Sequence, residues 1–343
     1  MTEIYLITDY KNNFGSKWKA KPYRSGYDKL LLQKLFAKNG FNVNIISAFE
    51  VKFKKNNWEN KFVIYTSLEE KDLLYKNFLI DVLKGIENLG GKLLPSLDFL
   101  QAHENKVFME ILRETKLPQK YKTLSSQIFG TLEDLKLTLQ KNQIVFPCVI
   151  KKSSGSMSRN VALVKNEVEL ISAAKKMSST FSLKTSLVEL ARTKKHNGYQ
   201  PESSFQNKFI IQPFINNLSC DWKVLIYWNK IFVLKRNIKE NDFRASGSGF
   251  NYKAGSESEF PEKYLDFVYQ FYKSMDVPNL SLDFAFDGEN PYIIEFQAIC
   301  FGTSTQFKSK DYYEFTDNKW ELKLNKFDQE SIFVDSIIQF LKK

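Results

Sequence analysis

Three stretches of this chain bring chemically capable side chains to one side of a strand or to its end. In LSLDFAFDGENPYIIEFQ, a three-residue loop at Gly288, Glu289 and Asn290 sets Asp283 opposite Glu295 and Ser281 opposite Gln297. Period-two alternation then sends Leu282, Phe284, Ile294 and Phe296 to one face and gathers Asp283, Glu295 and Gln297 on the other. Two carboxylates facing each other across strands repel unless a cation sits between them. Oxygen-only donors, with no Cys or His, point to a hard ion such as Mg²⁺, with Mn²⁺ as the substitute, completed by water and phosphate oxygens. Neutralising either acid should then relieve the repulsion and leave the metal-free protein at least as stable. The plain alternative is a solvated polar face.

A second hairpin, DWKVLIYWNKIFVLKR, turns at Asn229 and Lys230, which places Lys223 opposite Arg236 with no carboxylate beside them. Two facing cations ask for an anion such as phosphate. Arg244 follows in NDFRASGSGF, whose small residues let backbone approach a ligand closely. The third stretch is VIKKSSGSMSRNV, a strand end with a lysine and a Ser/Gly loop. Such a loop can hold a phosphate with an ammonium and backbone N–H groups, although it is neither a P-loop nor a GxGxxG turn.

The elements that must position these groups are legible as α/β. EIYLITDY, DKLLLQKLFAKNG and FNVNIIS form strand, helix and strand, with Leu30, Leu31 and Leu35 as the helical stripe and Gly40 closing it. KFVIYTS is a further strand before the helix DLLYKNFLIDVLKGIENLGG. HENKVFMEILRETKLPQ is a helix ended at Pro118, VFPCVIKKSSGSMSRNVALVKN is strand, loop and strand, and FDQESIFVDSIIQFLKK closes the chain as a helix. ELISAAKKM is helical and FIIQPFI a strand.

Composition excludes several classes. With 43% hydrophobic and 15% aromatic residues the chain has ample surface to bury, so it is not disordered, and 343 residues suggest two or three lobes. Cys148, Cys220 and Cys300 form no disulfide framework and no metal spacing, and His103 and His196 lie far apart, so neither a zinc site nor a Ser-His triad is expected. No apolar run approaches membrane-span length and the first residues carry no signal-peptide pattern, which makes cytoplasmic the expectation. The net charge of +11 is concentrated early, with eleven Lys/Arg against five Asp/Glu in the first 60 residues. Codon bias explains a Lys-rich chain without a nucleic-acid partner; the functional reading is an anionic substrate near Lys17, Lys19, Lys21 and Arg24.

Taken in order, HENK, FPCVIKK with SSGSMS, FIIQPFI, DWKV, VLKR, NDFR, LDFAF and YIIEFQ resemble the ATP-grasp superfamily. The resemblance runs from about residue 95 to 305 and is strongest to the carboxylate-amine ligase branch that includes ribosomal-protein glutamate ligases. It implies an ATP-grasp fold in three lobes: an N-terminal βαβ domain over 1–95, a central lid domain over 96–208 and a C-terminal antiparallel-sheet domain over 209–343, with ATP between the last two.

The same resemblance implies roles. Lys106 and Lys151 match the two lysines directed at ATP phosphates, Lys151 rather than Lys152 because it directly follows the strand, with Gly155 and Ser156 in the phosphate loop. Gln212 and Phe214 match the hinge whose backbone reads adenine, and Asp221 in DWKV joins the nucleotide-binding set. Arg236, Arg244 and Lys223 match the cations around the transferred phosphoryl group and the acyl substrate, and Asp283, Glu295 and Gln297 the metal ligands. Two departures stand out. Gln297 replaces the usual Asn, and its extra methylene moves the amide oxygen by about 1.5 Å where Mg²⁺ holds ligands at roughly 2.1 Å. Lys223 replaces a common Arg and offers a point charge rather than a fork. The implied activity is ADP-forming, Mg²⁺- and ATP-dependent joining of a small-molecule or peptide carboxylate to an amine, or to a thiol, through an acyl phosphate. The alternatives are a kinase on the same scaffold and a nucleotide-binding protein without turnover.

Overall fold

A computed structural model describes residues 2–15, 26–67, 71–155, 160–240, 242–244 and 251–343. They fall into two compact units, Met1–His103 with Lys116–Tyr121 and Leu218–Lys343 as the first, and Glu104–Thr115 with Lys122–Asn217 as the second.

In the first unit, β1 (Thr2–Thr8), α1 (Lys29–Lys38), β2 (Phe41–Ser47), β3 (Phe62–Tyr65), α2 (Leu74–Asn88) and β4 (Lys92–Leu94) build an all-parallel sheet in the order β2-β1-β3-β4, followed by α3 (Leu97–Ala102). Asp28 starts α1 by accepting the Leu31 N–H at 3.0 Å. The buried stripe of α1 is Leu32 and Phe36, four residues apart, rather than the expected run through Leu30 and Leu31: Leu30 is 68% exposed. Capping by Asp28 sets the helical phase, and that phase turns Leu32 and Phe36 onto Ile4, Leu6, Val43 and Ile64. The opposite sheet face packs Ile7, Val63 and Tyr65 against Leu79, Leu83 and Ile86 of α2. Each such buried side chain contributes roughly 1.5–3 kcal/mol. Beyond α2, Gly90 takes φ +83°, a conformation that strains residues with a side chain and favours glycine.

The second unit contains α4 (Lys106–Lys116, its last residue grouped with the first unit), β5 (Gln127–Phe129), α5 (Leu132–Gln140), β6 (Cys148–Lys152), β7 (Val161–Val164), α6 (Glu167–Ser178), α7 (Leu183–Lys195) and β8 (Phe209–Pro213). Its sheet is antiparallel, in the order β5-β8-β6-β7. Cys148, Ile150, Phe209 and Ile211 point into a core with Leu132 and Leu135 of α5 and Leu170 and Ala174 of α6. By alternation Val149, Lys151, Ile210 and Gln212 share the other face. Lys151 and Lys152 both lie inside β6, so the face, not the strand end, distinguishes them.

The first unit resumes with β9 (Cys220–Tyr227), β10 (Lys230–Asn237), β11 (Lys253–Ala254), α8 (Leu265–Met275), β12 (Asn279–Phe286), β13 (Pro291–Gln297), α9 (Ser304–Lys308), β14 (Asp311–Thr316), β15 (Lys319–Leu324) and α10 (Gln329–Leu341). Seven strands form one sheet, β13-β12-β9-β10-β14-β15, with β11 also paired to β10. On one face, Phe284 and Phe296 meet Phe267 and Phe271 of α8. On the other, Leu225, Tyr227 and Phe232 pack with Tyr312 and with Ile332 of α10.

Both hairpins depart in register from the sequence reading. β9 and β10 are joined at Trp228 and Asn229, with Tyr227 opposite Lys230. Trp228 adopts φ 57°, uncommon for a bulky residue, while its N–H donates to Pro278 O at 3.1 Å and Lys273 Nζ sits 4.4 Å from its ring. These contacts override the preference of Asn-Lys for the turn. In β12–β13 the pairing of Asp283 with Glu295 and of Ser281 with Gln297 holds as expected. The loop, however, is four residues, Asp287 to Asn290, and a bulge beside Asp283/Phe284 restores the register. The bulge puts Ile293, 1% exposed, opposite Phe284 where Ile294 was expected. Among the described residues no helix is long and apolar enough to cross a membrane.

Candidate active site

The far end of the α10-facing side of the seven-stranded sheet is polar. The strand order places Glu295 (β13), Asp283 (β12) and Lys223 (β9) in a row, directly opposite one another. Arg236 on β10 stands opposite Asp221, not Lys223, whose partner is Leu234. The two-residue shift at Trp228 keeps every side chain on its expected face, because alternation has period two, but it changes the neighbours. The expectation of two cations without a carboxylate is therefore corrected.

Asp221 grips Arg236 bidentately, Nε–Oδ1 2.6 Å and Nη2–Oδ2 2.7 Å. Asp283 Oδ1 is buried 3.0 Å from Lys223 Nζ and 3.2 Å from Arg236 Nη2, though neither approach is aligned for a hydrogen bond. Asp283 is thus partly neutralised by the protein's own cations, from the side of β9 and β10 and away from Glu295.

Burial raises the Asp283 pKa, but Arg236 and Lys223 outweigh it and hold this carboxyl well below the usual aspartate range. Asp221 goes the other way, pushed up to about 6 by burial against the pull of Arg236. Arg236 loses some affinity for its proton through burial and regains more from Asp283 and Asp221. Two acids sharing two cations titrate as a pair, and Asp283, held from both sides, is the one that keeps its charge in acid.

A hard cation fits this face. Its oxygen donors are the Asp283 and Glu295 carboxylates and the Gln297 amide, whose nitrogen donates to Glu295 Oε1 at 3.1 Å and so leaves the amide oxygen for another partner. Ser281 Oγ, fully buried on β12 opposite Gln297 on one side and Leu225 on the other, has no hydrogen-bond partner among the described residues. Among the described residues no group of three or more Asp, Glu, His or Cys is arranged to hold a metal ion.

The second unit gathers another set. Asn105 begins α4 by accepting the Phe108 N–H at 3.3 Å and the hydroxyl of Ser153 at 3.0 Å. Glu104 accepts the Gly155 N–H at 2.7 Å, and Lys106 donates from its ammonium to Gly155 O at 2.9 Å and from its backbone to Ser153 O at 2.9 Å. The start of the Ser/Gly loop is therefore tied to HENK, with Gly155 at φ +118°. Gln212, 1% exposed, donates to Glu110 Oε1 at 3.3 Å, and Glu110 is paired with fully buried Arg113 at 2.9 Å.

The structure thus brings Asp221, Lys223, Arg236, Asp283, Glu295 and Gln297 onto one face of the first unit. Within the second it brings Lys106 to Gly155 and puts Lys151 and Gln212 on one sheet face, with Phe214 just past β8. Arg244 forks onto Asp242, two residues earlier, at 3.0 and 3.1 Å. Ser156 and the basic positions Lys17, Lys19, Lys21 and Arg24 lie outside the described residues. Glu104, Glu110 and Arg113 were missed from sequence; the i,i+3 spacing of Glu110 and Arg113 was the available signal.

No protein-family model and no curated protein sequence matches the chain. Solved structures do. D-cycloserine synthetase DcsG aligns over 99% of both chains at 11% identity with a TM-score of 0.54. The D-alanine–D-alanine ligase from Bacillus anthracis complexed with ATP aligns over 99% of this chain and 97% of its own at 15% identity, TM-score 0.50. This chain has the ATP-grasp fold. The resemblance noted in its ordered motifs from HENK to YIIEFQ is therefore carried by the whole ATP-grasp architecture, while the site rests on the side chains above.

Proposed function

We propose that this chain is an ATP-dependent, ADP-forming carboxylate-amine ligase. The observation that carries the reading is the single sheet face, within an ATP-grasp fold, on which Asp283, Glu295 and Gln297 adjoin Lys223 and the Asp221-held Arg236. The similar structures are themselves a synthetase and a ligase complexed with ATP, which supports the same class here. In the reaction a substrate carboxylate oxygen attacks the γ-phosphorus as the bond to ADP breaks. An amine then attacks the acyl carbon, phosphate leaves and the amine gives up a proton. Phosphoryl transfer asks a protein mainly for positioning and charge. Arg236 and Lys223 offset negative charge on the phosphoryl group and the acyl substrate, with Arg244 as the third cation. Asp221 orients Arg236. Asp283, Glu295 and Gln297 would hold Mg²⁺ or Mn²⁺, which would supply positive charge to offset the negative charge of the phosphates. Lys106, Lys151, Gly155 and Ser156 serve the phosphates, and the backbone of Gln212 and Phe214 serves adenine.

Lys151→Met is expected to weaken ATP binding about 10- to 100-fold, the worth of one charged hydrogen bond of about 1.5–3 kcal/mol, with native circular dichroism. Calorimetric titration with ATP checks it. The class itself is tested by incubating the protein with Mg·ATP, small carboxylates and hydroxylamine. The expected products are ADP, phosphate and a hydroxamate, because an acyl phosphate is open to an amine that needs no site of its own. A stable phosphoester without hydroxamate would make it a kinase, and AMP release would overturn the mechanism. Gln297 and the internal pairing of Arg236 favour one rival, a nucleotide binder without turnover, which would bind ATP and release no ADP.

A further inference from the structure

The parallel sheet of the first unit borders a cavity that lies outside the acidic face. In the order β2-β1-β3-β4 the chain leaves β1 on one side and returns on the other, and the crevice beyond the carboxyl ends of β1 and β3 is where such a sheet takes its ligands. Phe14 and Gly15 after β1 and Thr66 after β3 stand at that crevice, and the Gly15 N–H donates to Thr66 Oγ1 at 3.0 Å. From the other side the same unit closes over it with Asn279 at the start of β12, Cys300 after β13 and Phe333 of α10. Cys300, at φ 57°, donates from its thiol to Ser67 O at 3.0 Å and so holds its loop against the end of β3.

Size and lining restrict what can enter. The volume is about 40 Å³, against the roughly 150 Å³ of an apolar cavity that holds benzene, so a short alkyl group fits and a ring does not. None of the described residues lining it carries a charge, and a carboxylate or an ammonium would enter without a counter-ion. The Tyr65 and Thr66 hydroxyls and the Cys300 thiol are hydrogen-bonded within the protein. Asn279 is not: it is 4% exposed, borders the cavity, and its amide has no hydrogen-bond partner among the described residues. A buried amide with nothing to bond lowers stability, and leucine would fill the same space without that cost. Asn279, Ser281 and Asp283 also alternate onto one side of β12, so a line of about 13 Å runs from the cavity to the acidic face.

We propose that this cavity receives the end group of the acid that the ligase activates: short, uncharged, apolar over most of its surface, and carrying one hydrogen-bonding atom for Asn279. Calling the occupant part of an acid rests on the ligase reading; the preference of the cavity itself is measured without ATP.

Saturation-transfer NMR on the full chain tests it with three fragments: propionamide, short and neutral; propionate, short and charged; and benzamide, neutral with a ring. Propionamide is expected to bind with a millimolar dissociation constant, at least about tenfold more tightly than either of the others. Asn279→Leu should abolish that binding and raise the melting temperature by about 2 °C or more, because it removes an unpartnered polar group. In the hydroxylamine assay the same variant should raise KM for the accepted acid at least about tenfold and leave KM for ATP unchanged. Propionamide bound no better than propionate or benzamide, or bound equally by Asn279→Leu, would overturn the inference. So would a variant that melts below the wild type, since the amide would then belong to the packing, or an accepted acid with the same KM in both proteins. No hydroxamate from a wild-type protein that still binds propionamide through Asn279 would overturn the ligase reading, and with it the acid as occupant, but not the preference of the cavity.

Discussion

Asp283→Asn is expected to lower the unfolding free energy by about 3–5 kcal/mol, the cost of removing one partner from a buried ionic cluster. Lys223 and Arg236 would be left without the carboxylate that lies 3.0 and 3.2 Å from their charged nitrogens. This reverses the gain in stability that two facing carboxylates alone would suggest. Glu295→Gln, on the half-exposed outer strand, should change stability by less than about 1 kcal/mol. The pH dependence has a definite sign. Because the folded protein holds Asp283 below its ordinary value, its stabilisation is complete above the unfolded aspartate value near 3.8 and is lost as the pH falls towards the folded one. Urea unfolding at pH 7 and pH 3 should therefore show the gap between wild type and Asp283→Asn narrowing in acid. A variant as stable as the wild type at pH 7 would mean that Asp283 is not the counter-ion of these cations.

The second large effect concerns Arg236. Arg236→Lys is expected to reduce turnover by about 10²–10³-fold while ATP affinity changes by less than about threefold. The guanidinium gives two N–H groups to Asp221 and still reaches Asp283, whereas an ammonium is a point charge that cannot span both carboxylates in one plane. A cation whose place is set by a fork loses that place when the fork is removed. Initial rates of ADP release, with ATP affinity measured separately, check it. A parallel loss of both quantities would move Arg236 from the phosphoryl end to nucleotide binding.

The chemistry of this face was legible before its geometry. Alternation along LSLDFAF and YIIEFQ correctly predicted that Asp283, Glu295 and Gln297 share a side, because register is an end-to-end property of a hairpin and two separate departures cancelled there. In β9–β10 nothing cancelled. The turn moved by one residue, since Trp228 is fixed by Pro278 and Lys273, groups some fifty residues away that no local turn preference can include. Arg236 consequently met Asp221, and the anion inferred from like charges was an aspartate of the chain itself. The helix stripe failed for a related reason: three adjacent leucines leave helical phase undetermined until the Asp28 cap and the sheet beneath select Leu32. α7, whose leucines face outward, gave no readable signal, because outward and inward leucines look the same in a sequence.

The bulge in β13 separates the hairpin into two independently phased halves. Ile293 and Glu295 are two residues apart yet face opposite sides of the sheet, which an unbroken strand cannot do. A one-residue deletion at Ile294 would therefore leave both the aromatic side under α8 and the acidic side facing as they do now. Deletion of Phe296 would not: it would bring Gln297 into that position, inward among phenylalanines. The hairpin tolerates a change of length at the bulge itself, next to Glu295, and not beyond it, so transplanting the loop from Asp287 to Asn290 onto another protein requires carrying Ile294 with it.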